Sequence, residues 1–477
     1  MTETDSYNEL WIGGRPARAE SGETFDLVNP YTGLAHARFA RASGPDAVRA
    51  IDAAAAAFPA WSRLTGNDRA NILYRAYHLV HERHEELARL MVEDMGKTVR
   101  EAAKEIRSTG AFIRFCAEEA RRIFGDIVPS PDPRKRVLVM PQPVGVVAAF
   151  IAANAPGIIF GRKVAPALAA GCSVVVKPSE AAPRVALALA RILHEAGVPD
   201  GAVNVIAGDA PAIAAVVMAD PRVRMVTFTG SAALGRQLMR GASDGMKRVV
   251  LELGGVAPFI VFADADLEAA VEGLVGAKFR HSGQICASPQ RVFVEAPIAE
   301  DFTNRLVDRI SRLRVGDPSD PMTDFGPLQH AGIFKGVEAI VEDARRRGAR
   351  IVVGGAPVTG LIYQPTILAD VDDSMEVSRE EAFGPIVALD RFTTEEEAVS
   401  RGNATAYGLG AYVFTRDLSR AWRVAEALEV GVVGVNDPFP ANIEGPFGGV
   451  KESGFGLEGG RYGVEEFLVK KAISFQI

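Results

Sequence analysis

The chain has 477 residues, and its 53 Lys and Arg against 60 Asp and Glu give a formal net charge of −7. With 48% hydrophobic and 24% charged residues, it has the composition of an ordinary soluble globular protein and is long enough for two to four domains of roughly 150 residues. Nucleic-acid binding depends on clustered Lys and Arg that neutralise phosphates, so this acidic balance argues against a nucleic-acid partner and favours a small-molecule ligand.

The cysteines and the apolar segments bear on the compartment. Cys116, Cys172 and Cys286 are too few and too scattered for a disulfide framework or a thiolate metal site. Residues 1–10 lack the basic region and apolar stretch of a signal peptide. The most apolar segment, residues 144–161, is interrupted by asparagine, proline and glycine, which indicates strand, turn and helix rather than a membrane span. We expect a cytoplasmic protein without a membrane partner.

The first predicted elements are helices. Between residues 46 and 124 the apolar residues recur at helical spacing, so we expect helices with one buried face. His78, His81 and His84 recur every three residues on one of these helices, which could suggest a metal site. The surrounding Glu and Arg residues indicate a solvent-exposed helical face instead, and we predict no metal.

Strands and helices then alternate from residue 144 to residue 255. Short apolar runs are separated by Ala-rich helical stretches, and these runs cover residues 144–151, 173–176, 203–206 and 225–228. The alternation predicts a parallel, doubly wound sheet. A second alternation, from residue 259 to residue 435, opens with apolar strands at 259–262 and 291–295 and predicts a second α/β domain.

Three residues could carry chemistry. Cys286 lies in HSGQICAS, and a lone cysteine of this kind is either a buried structural residue or a nucleophile. Glu252 lies in VVLELGG, where its carboxylate is either satisfied by backbone N–H groups or has a raised pKa suited to a general base. Asn154 lies in AANAPG, as either a turn residue or an amide donor to a developing oxyanion. The residues alone leave these alternatives open.

Two loops could bind a nucleotide. In VRMVTFTGSAALG a strand leads into Gly230 and Ser231 and then a helix with Gly235, so backbone N–H groups can approach a pyrophosphate. In VVVKPSE a strand ends at Lys177, and Glu180 could accept hydrogen bonds from a ribose diol. Each signal is weak alone, but both loops would lie at the carboxyl ends of parallel strands, where nucleotides bind.

Six motifs, taken together and in this order, resemble those of the aldehyde dehydrogenase superfamily. They are KPSE from residue 177, FTGS from 228, LELGG from 251, GQIC from 283, EEAFGP from 380 and PFGGVKESGFG from 446. The resemblance runs from about residue 29 to the C-terminus, and Glu252 precedes Cys286 by the 34 residues usual in the family. It implies an α/β fold with a Rossmann-like cofactor domain, an α/β catalytic domain and a β-arm that bridges subunits of a homodimer or homotetramer.

The resemblance also implies domain limits. The implied units are an NAD-binding domain at 1–124 and 142–254, a catalytic domain at 255–445, an oligomerisation arm at 125–141 and 465–477, and a return segment to the cofactor domain at 446–464.

Roles follow from the resemblance residue by residue. It implies that Cys286 is the nucleophile, that Glu252 is the general base, and that Asn154 and the backbone N–H of Cys286 form an oxyanion hole. A thiohemiacetal would lose hydride to NAD, and water activated by Glu252 would hydrolyse the resulting thioester. Lys163 and Glu458 match positions that help relay protons from Glu252. The implied cofactor-binding residues are Lys177, Glu180, Gly230, Ser231, Gly235, Leu253, Glu381 and Phe383.

Two arginines bear on the substrate. Motif alignment puts Arg162 and Arg280 at the substrate mouth, where two guanidiniums would suit a distal carboxylate, and we expect Asn442 and Phe447 to join them. The segments that begin at Lys135, Arg162 and Phe447 are most similar to the succinate-semialdehyde dehydrogenase branch. Glutarate or 2-oxoglutarate semialdehyde would also satisfy the arginines. The alternative is that both arginines are ion-paired structural residues.

Departures from the family pattern keep other substrates open. Where most relatives have Pro-Trp-Asn-Phe-Pro, this chain has Ala-Ala-Asn-Ala-Pro at 152–156. Similar Asn-Ala-Pro turns occur in relatives that oxidise aromatic aldehydes. A benzaldehyde-, salicylaldehyde- or vanillin-like substrate is therefore the alternative. Glu180 would repel a 2′-phosphate and accept from a 2′-hydroxyl, which favours NAD without excluding NADP.

Two other classes of protein are alternatives to a hydrolytic dehydrogenase. A CoA-acylating relative would not need a base for hydrolysis, so Glu252 argues against it. A non-catalytic dinucleotide-binding protein would not need Cys286, Glu252 and Asn154 together. We therefore predict an NAD(P)-dependent, non-acylating aldehyde dehydrogenase.

Overall fold

The computed structural model describes residues 8–477. In chain order its first elements are β1 (Leu10–Ile12), β2 (Arg15–Ala17), β3 (Thr24–Val28), β4 (Ala35–Ala40), α1 (Gly44–Arg63), α2 (Gly66–Glu82), α3 (His84–Met95), α4 (Val99–Ala120), β5 (Asp126–Val128) and β6 (Lys135–Pro143). Helix α1 begins where Ser43 and Asp46 form a capping box, in which the Asp46 carboxylate accepts the Ser43 amide at 3.0 Å. The helices predicted between residues 46 and 124 are confirmed.

The middle of the chain alternates between strands and helices. Its elements are β7 (Val146–Ile151), α5 (Pro156–Ala170), β8 (Ser173–Pro178), α6 (Pro183–Glu195), β9 (Val203–Val205), α7 (Ala210–Ala219), β10 (Val223–Gly230), α8 (Ala232–Asp244), β11 (Arg248–Leu253), β12 (Ala257–Val261), α9 (Leu267–Lys278), a 3₁₀ turn (Arg280–Gly283), β13 (Pro289–Glu295), a second 3₁₀ turn (Ala296–Ile298) and α10 (Ala299–Ser311).

The last part of the chain completes a second sheet and returns to the first. Its elements are α11 (Ala331–Arg346), β14 (Arg350–Val353), β15 (Pro357–Thr359), β16 (Ile362–Tyr363), β17 (Thr366–Ala369), α12 (Glu376–Arg379), β18 (Ile386–Phe392), α13 (Glu395–Asn403), β19 (Tyr407–Gly408), β20 (Gly410–Phe414), α14 (Leu418–Ala427), β21 (Val432–Val435), β22 (Val450–Lys451), β23 (Gly454–Phe455), α15 (Gly460–Glu465) and β24 (Leu468–Gln476).

The first sheet has a parallel centre with the strand order β9-β8-β7-β10-β11. Antiparallel strands β1 and β2 extend one edge, and β23 pairs antiparallel with β11 at the other. Every residue of β7 and β8 is buried, as expected for parallel strands with both faces covered by helices. The strand order reverses between β7 and β10, which opens a crevice at their carboxyl ends. The predicted doubly wound parallel sheet is confirmed.

The second sheet has the order β14-β17-β18-β13-β12-β20-β21. Its strands are parallel except for β14, which runs antiparallel to β17. A separate apolar core lies beside it, built around Phe259, Phe302 and Phe414. Strand β12 follows β11 after a short connection, so the carboxyl edge of the first sheet adjoins the amino edge of the second.

The predicted arm strands pair with one another. Strand β24 runs antiparallel to β6 along its whole length, and β6 also pairs with β5. Apolar side chains on this small sheet are exposed, including Ile127, Met140 and Phe475. The pairing agrees with the expected arm, while the domain limits stay a prediction.

Two sequence predictions concern membranes and secretion. Within residues 8–477, the longer helices are all too polar to cross a bilayer. The prediction that residues 1–10 carry no signal segment rests mainly on residues 1–7, which lie outside the described part of the chain.

Candidate active site

The topology brings Glu252 and Cys286 together. Glu252 is the penultimate residue of β11, and a Gly-Gly pair separates this strand from β12. Strand β12 pairs in parallel with β13, with Ala257 opposite Pro289, and Cys286 lies just before β13. Both side chains therefore lie where the two sheets adjoin, near enough for each to affect the pKa of the other.

The loop before Cys286 has an unusual backbone. His281 and Ser282 have φ values of 47° and 56°, and Gly283 has 79°. A Cβ atom on Gly283 would lie 2.2 Å from the carbonyl oxygen of Gly384, so only glycine fits there. The Ser282 hydroxyl donates to the Gly326 carbonyl at 2.7 Å. The surrounding structure thus imposes a conformation on the loop that its residues rarely adopt.

The environment sets the protonation of both groups. Burial raises the pKa of the Cys286 thiol, and the neighbouring Glu252 carboxylate raises it further. Burial also raises the pKa of Glu252 to about 7, helped by the negative charge of Glu458 and opposed by Arg162. One buried Glu252 oxygen, Oε1, has no hydrogen-bond partner among the described residues. A protonated thiol therefore lies beside a carboxylate that is partly ionised near neutral pH, an arrangement suited to proton transfer.

Asn154 lies in the turn between β7 and α5. Its side chain is buried, and Nδ2 donates to the Gln284 carbonyl at 3.1 Å, which ties it to the loop that carries Cys286. An amide nitrogen has two N–H bonds, so this contact leaves one for a ligand. The residue is a turn residue and also an amide next to the cysteine loop, so the two predicted readings are compatible.

A buried ion pair lies behind Glu252. Lys163 on α5 and Glu458 are both buried, and Nζ lies 2.5 Å from the Glu458 Oε1 oxygen. The Lys163 ammonium also donates to the Thr227 hydroxyl at 2.9 Å. Both charges act on the pKa of Glu252, since Glu458 raises it and Lys163 lowers it. The two residues expected to relay protons thus lie within electrostatic reach of the expected base.

A cavity of about 910 Å³ opens at the carboxyl edge of the first sheet, a volume in the range of cofactor sites. Cys286, Glu252 and Asn154 line it at one end. Its lining includes seven of the eight residues predicted to bind the cofactor, namely Lys177, Glu180, Gly230, Ser231, Leu253, Glu381 and Phe383. Gly235 lies outside the lining, where a Cβ atom would come within 2.7 Å of the Leu253 side chain. Gly235 therefore allows α8 to pack closely against β11.

Groups along this cavity fit a dinucleotide. At the end away from Cys286, Lys177 and Glu180 form an ion pair at 2.6 Å. The Glu180 carboxylate is partly exposed there and can accept hydrogen bonds from a diol. In the middle α8 begins after Ser231, so its first N–H groups face the space where a diphosphate would lie. At the other end burial raises the pKa of Glu381 to about 8, and the Gly255 amide donates to it at 3.4 Å.

The substrate residues predicted from the sequence lie outside this cavity. The Arg162 guanidinium lies over the rings of Phe447 at 4.2 Å and Phe112 at 5.4 Å, and its charge lowers the pKa of both Cys286 and Glu252. We call the following residues the arginine–aromatic cluster: Phe112, Arg162, Arg280, Phe439 and Phe447.

The two arginines of the cluster differ in exposure. Arg162 is partly buried, whereas Arg280 is exposed and lies over the Phe439 ring at 5.2 Å. Within residues 8–477 neither arginine forms a direct ion pair, although the charge of Arg280 lowers the pKa of Glu101 and that of Arg162 lowers the pKa of Glu252. The alternative of structural arginines stays a prediction. The Asn442 side chain bonds within its own loop, where Oδ1 accepts from the Gly445 amide at 2.9 Å.

Sequence reasoning missed several residues near the site. Phe112 lies on the buried face of α4, where its helical spacing is typical of a core residue. Phe439 lies in a loop between prolines with no motif around it. Lys278 is buried on α9, and burial lowers its pKa to about 7 despite the nearby Glu381 charge. No local pattern marks these three, because their neighbours in space are distant in sequence.

The model of the aldehyde dehydrogenase family matches residues 17–473 of this chain. The protein therefore belongs to the aldehyde dehydrogenase family, whose enzymes oxidise aldehydes with NAD or NADP. The resemblance predicted from the six motifs, the fold class and the enzyme class are confirmed.

The similarity to known proteins extends over nearly the whole chain. It is 45% identical over 464 residues to the mitochondrial succinate-semialdehyde dehydrogenase of Arabidopsis thaliana, covering 97% of this chain and 88% of that protein. It is 41% identical to the glutarate-semialdehyde dehydrogenase of Pseudomonas putida, covering 98% of each. The crystal structure of an E. coli NADP-dependent enzyme superposes with a TM-score of 0.97 at 43% identity, covering 98% of each chain.

Proposed function

We propose that this enzyme oxidises a small aldehyde with a distal anionic group, succinate semialdehyde being the first candidate, to the free acid with NAD(P). The observation that carries the proposal is the state of Arg162. Its guanidinium is partly buried near Cys286, its Nε atom has no hydrogen-bond partner, and no described carboxylate pairs with it. A partly buried guanidinium without a carboxylate partner favours an anion supplied by the substrate.

The similar enzymes support the same substrate class. Two relatives are named for succinate and glutarate semialdehyde, which both carry a carboxylate at the end remote from the aldehyde. In this chain Arg162 and Arg280 supply two guanidiniums, and the aromatic rings beneath them limit how far each can move. We infer that the cluster holds the distal carboxylate while the aldehyde reaches Cys286.

The first chemical step joins the cysteine to the aldehyde. The Cys286 thiol gives its proton to Glu252 and adds to the carbonyl carbon, which forms a thiohemiacetal oxyanion. The second N–H of the Asn154 side chain and the backbone N–H of Cys286 donate to that oxygen. Arg162 assists because its positive charge favours the thiolate.

The long cavity is proposed to hold the cofactor. Lys177 and Glu180 bind the adenosine ribose, the start of α8 at Ser231 receives the diphosphate, and Glu381 and Phe383 hold the nicotinamide half. When bound there, NAD(P) supplies the acceptor for the hydrogen and electron pair removed from the aldehyde carbon, which leaves a thioester on Cys286.

The last step releases the acid. Glu252 first passes the proton that it took from the thiol to the Lys163–Glu458 pair. It then takes a proton from water, which adds to the thioester carbonyl, and the same N–H donors hold the second oxyanion. The Cys286 thiolate leaves, and the acid is released as its carboxylate. Lys163 and Glu458 then carry the proton away from Glu252, consistent with their buried pairing behind it.

Four further predictions belong to this proposal. NAD is preferred over NADP, because the Glu180 carboxylate repels a 2′-phosphate. Strand β24 and its neighbours form the arm of a homodimer or homotetramer, which would cover their exposed apolar side chains. The domain limits and a cytoplasmic location stay as predicted from the sequence.

The proposal is tested by following NADH at 340 nm. Succinate semialdehyde, glutarate semialdehyde, benzaldehyde and propanal are compared, each with NAD, NADP, and NAD plus CoA. We expect the highest kcat/KM with a semialdehyde and free acid as the product whether or not CoA is present. A preference for benzaldehyde, or a CoA thioester product, would overturn the substrate or the hydrolytic step respectively.

A further inference from the structure

The proposed oxyanion hole is held by residues that do not touch the substrate. Both the side chain and the backbone of Asn154 are held by hydrogen bonds. The side-chain amide donates to the Gln284 carbonyl, and the backbone carbonyl accepts from the Lys97 ammonium at 2.8 Å. Lys97 is buried just before α4 and forms an ion pair with Glu105, which is also buried. A buried cation therefore connects the Asn154 turn to the start of α4.

Glu105 holds the other side of the same turn. Its Oε1 atom accepts the backbone N–H groups of Gly157 and Ile158, at 2.9 Å and 3.3 Å, in the first turn of α5. A Cβ atom on Gly157 would lie 2.8 Å from the Thr109 hydroxyl, so the two helices approach closely here. Glu105 thus binds both the cation that holds Asn154 and the helix that follows it.

Glu101 makes the matching contact to the cysteine loop. Its Oε1 atom accepts the backbone N–H of His281 at 2.7 Å, at the residue where the left-handed backbone begins. Glu101 and Glu105 lie four residues apart on α4 and so share one helical face. One face of this helix therefore holds the Asn154 turn through one carboxylate and the Cys286 loop through the other.

We propose that Lys97, Glu101 and Glu105 are positioning residues, which hold the two halves of the proposed oxyanion hole at a fixed separation. The Asn154 amide comes from the first sheet and the Cys286 N–H from the edge of the second, so their separation depends on whatever links the two loops. The start of α4 is such a link. This inference rests on the proposed function, because it needs both groups to donate to the same oxygen.

The first test removes the buried pair. The double variant Lys97→Met/Glu105→Gln leaves neither charge buried alone. We expect kcat for succinate semialdehyde to fall about 10- to 100-fold, because a misplacement of roughly 1 Å can cost about 100-fold. The affinity for NAD, measured by calorimetry, stays unchanged. Glu118→Gln is the matched control on the same helix, because Glu118 is partly exposed and forms only a long ion pair with Arg114, at 3.9 Å. We expect this control to leave kcat unchanged.

A double-mutant cycle separates positioning from general structural support. In an Asn154→Ala background the same double substitution has no further effect on kcat, because no amide remains to be positioned. A loss by the same factor in both backgrounds would overturn the proposal. If Asn154→Ala alone leaves kcat unchanged, the proposed function fails at its oxyanion hole. If it lowers kcat and the Lys97/Glu105 change does not, only this inference fails.

Glu101 gives a second test that does not depend on how well the first variant folds. Glu101→Gln keeps an oxygen that can accept from the His281 N–H, whereas Glu101→Ala removes it. We expect Glu101→Ala to lower kcat about 10-fold or more with Glu101→Gln restoring most of the rate, as a lost positioning contact predicts. Equal rates for the two variants would overturn the role of Glu101.

Discussion

The cofactor cavity and the arginine–aromatic cluster are built in different ways, although both reach Cys286. The cavity is lined by residues at the ends of β7, β8, β10 and β11 and by the start of α8. Its shape follows from the strand order of the sheet. The cluster instead gathers side chains from α4, α5, a 3₁₀ turn and a loop near the C-terminus. Its character depends on which side chains those are.

This difference predicts that cofactor binding and the choice of aldehyde can be changed separately. Changes in the cavity lining that keep the backbone should alter cofactor binding and leave the choice of aldehyde unchanged. Changes in the cluster should alter the choice of aldehyde and leave cofactor binding unchanged. Cys286 is the point where the two regions meet, and changes there should abolish the reaction without emptying the cavity.

The largest expected effect comes from the shared point. Cys286→Ala removes the nucleophile, so kcat falls by at least about 10⁴-fold. Calorimetry should give an NAD affinity equal to that of the wild type, because the rest of the lining is intact. Wild-type turnover by this variant, or loss of NAD binding, would break the separation of the two regions.

The next effect belongs to the cluster. Arg162→Met keeps the packing on Phe112 and Phe447 and removes the charge. We expect kcat/KM for succinate semialdehyde to fall about 10- to 100-fold, since a hydrogen bond to a charged group contributes about 1.5–3 kcal/mol. Propanal has no distal charge, so its kcat/KM should fall much less, only by the part that comes from losing the Arg162 charge near the Cys286 thiol. Arg312→Met, at an exposed surface ion pair, is the control and should change neither rate.

A smaller effect is expected in the cavity. Glu180→Gln removes the charge that opposes a 2′-phosphate, so the ratio of kcat/KM with NAD to that with NADP should fall by about 10-fold. The ranking of aldehydes should not change. A changed aldehyde ranking would show that the cavity and the cluster are coupled.

The smallest effect is a shift in pH dependence. Burial and Glu458 raise the pKa of Glu252 to about 7, and the base must be ionised, so kcat should rise with pH through about 7. Glu458→Gln removes a nearby negative charge, which lowers the pKa of Glu252 and moves this limb to lower pH by less than about one unit. A shift to higher pH would contradict the assigned electrostatics.

The residues that line the cavity were easier to predict from the sequence than those of the cluster, because the two regions are built in different ways. Lys177, Glu180 and Gly230 belong to motifs at strand ends, and the parallel order of the strands gathers such motifs at one edge. Glu252 and Cys286 were predicted from the resemblance of their motifs, LELGG and GQIC, to those of the family, whereas their flanking segments alone left both roles open.

Other features depend on packing that leaves no local pattern. Phe112 has the helical spacing of any core residue, and the orientation of Arg162 over its ring follows from how α4 packs on α5. Gly235 lies outside the cavity lining and lets α8 pack on β11, and its predicted contact with the cofactor stays a prediction. The links from Lys97 to Asn154 and from Glu105 to Gly157 join residues that are 57 and 52 positions apart in sequence.

One measurement tests the whole account most directly, namely the mass of the acyl-enzyme. Glu252→Gln is mixed with succinate semialdehyde and NAD, and the intact protein and its peptides are analysed by mass spectrometry. We expect a succinyl adduct on Cys286 that forms only when NAD is present. It should form more slowly than in the wild type, because the thiol has lost its proton acceptor, and it should persist because the base for hydrolysis is missing. A stable adduct on another residue, or no adduct while NADH is still produced, would contradict it.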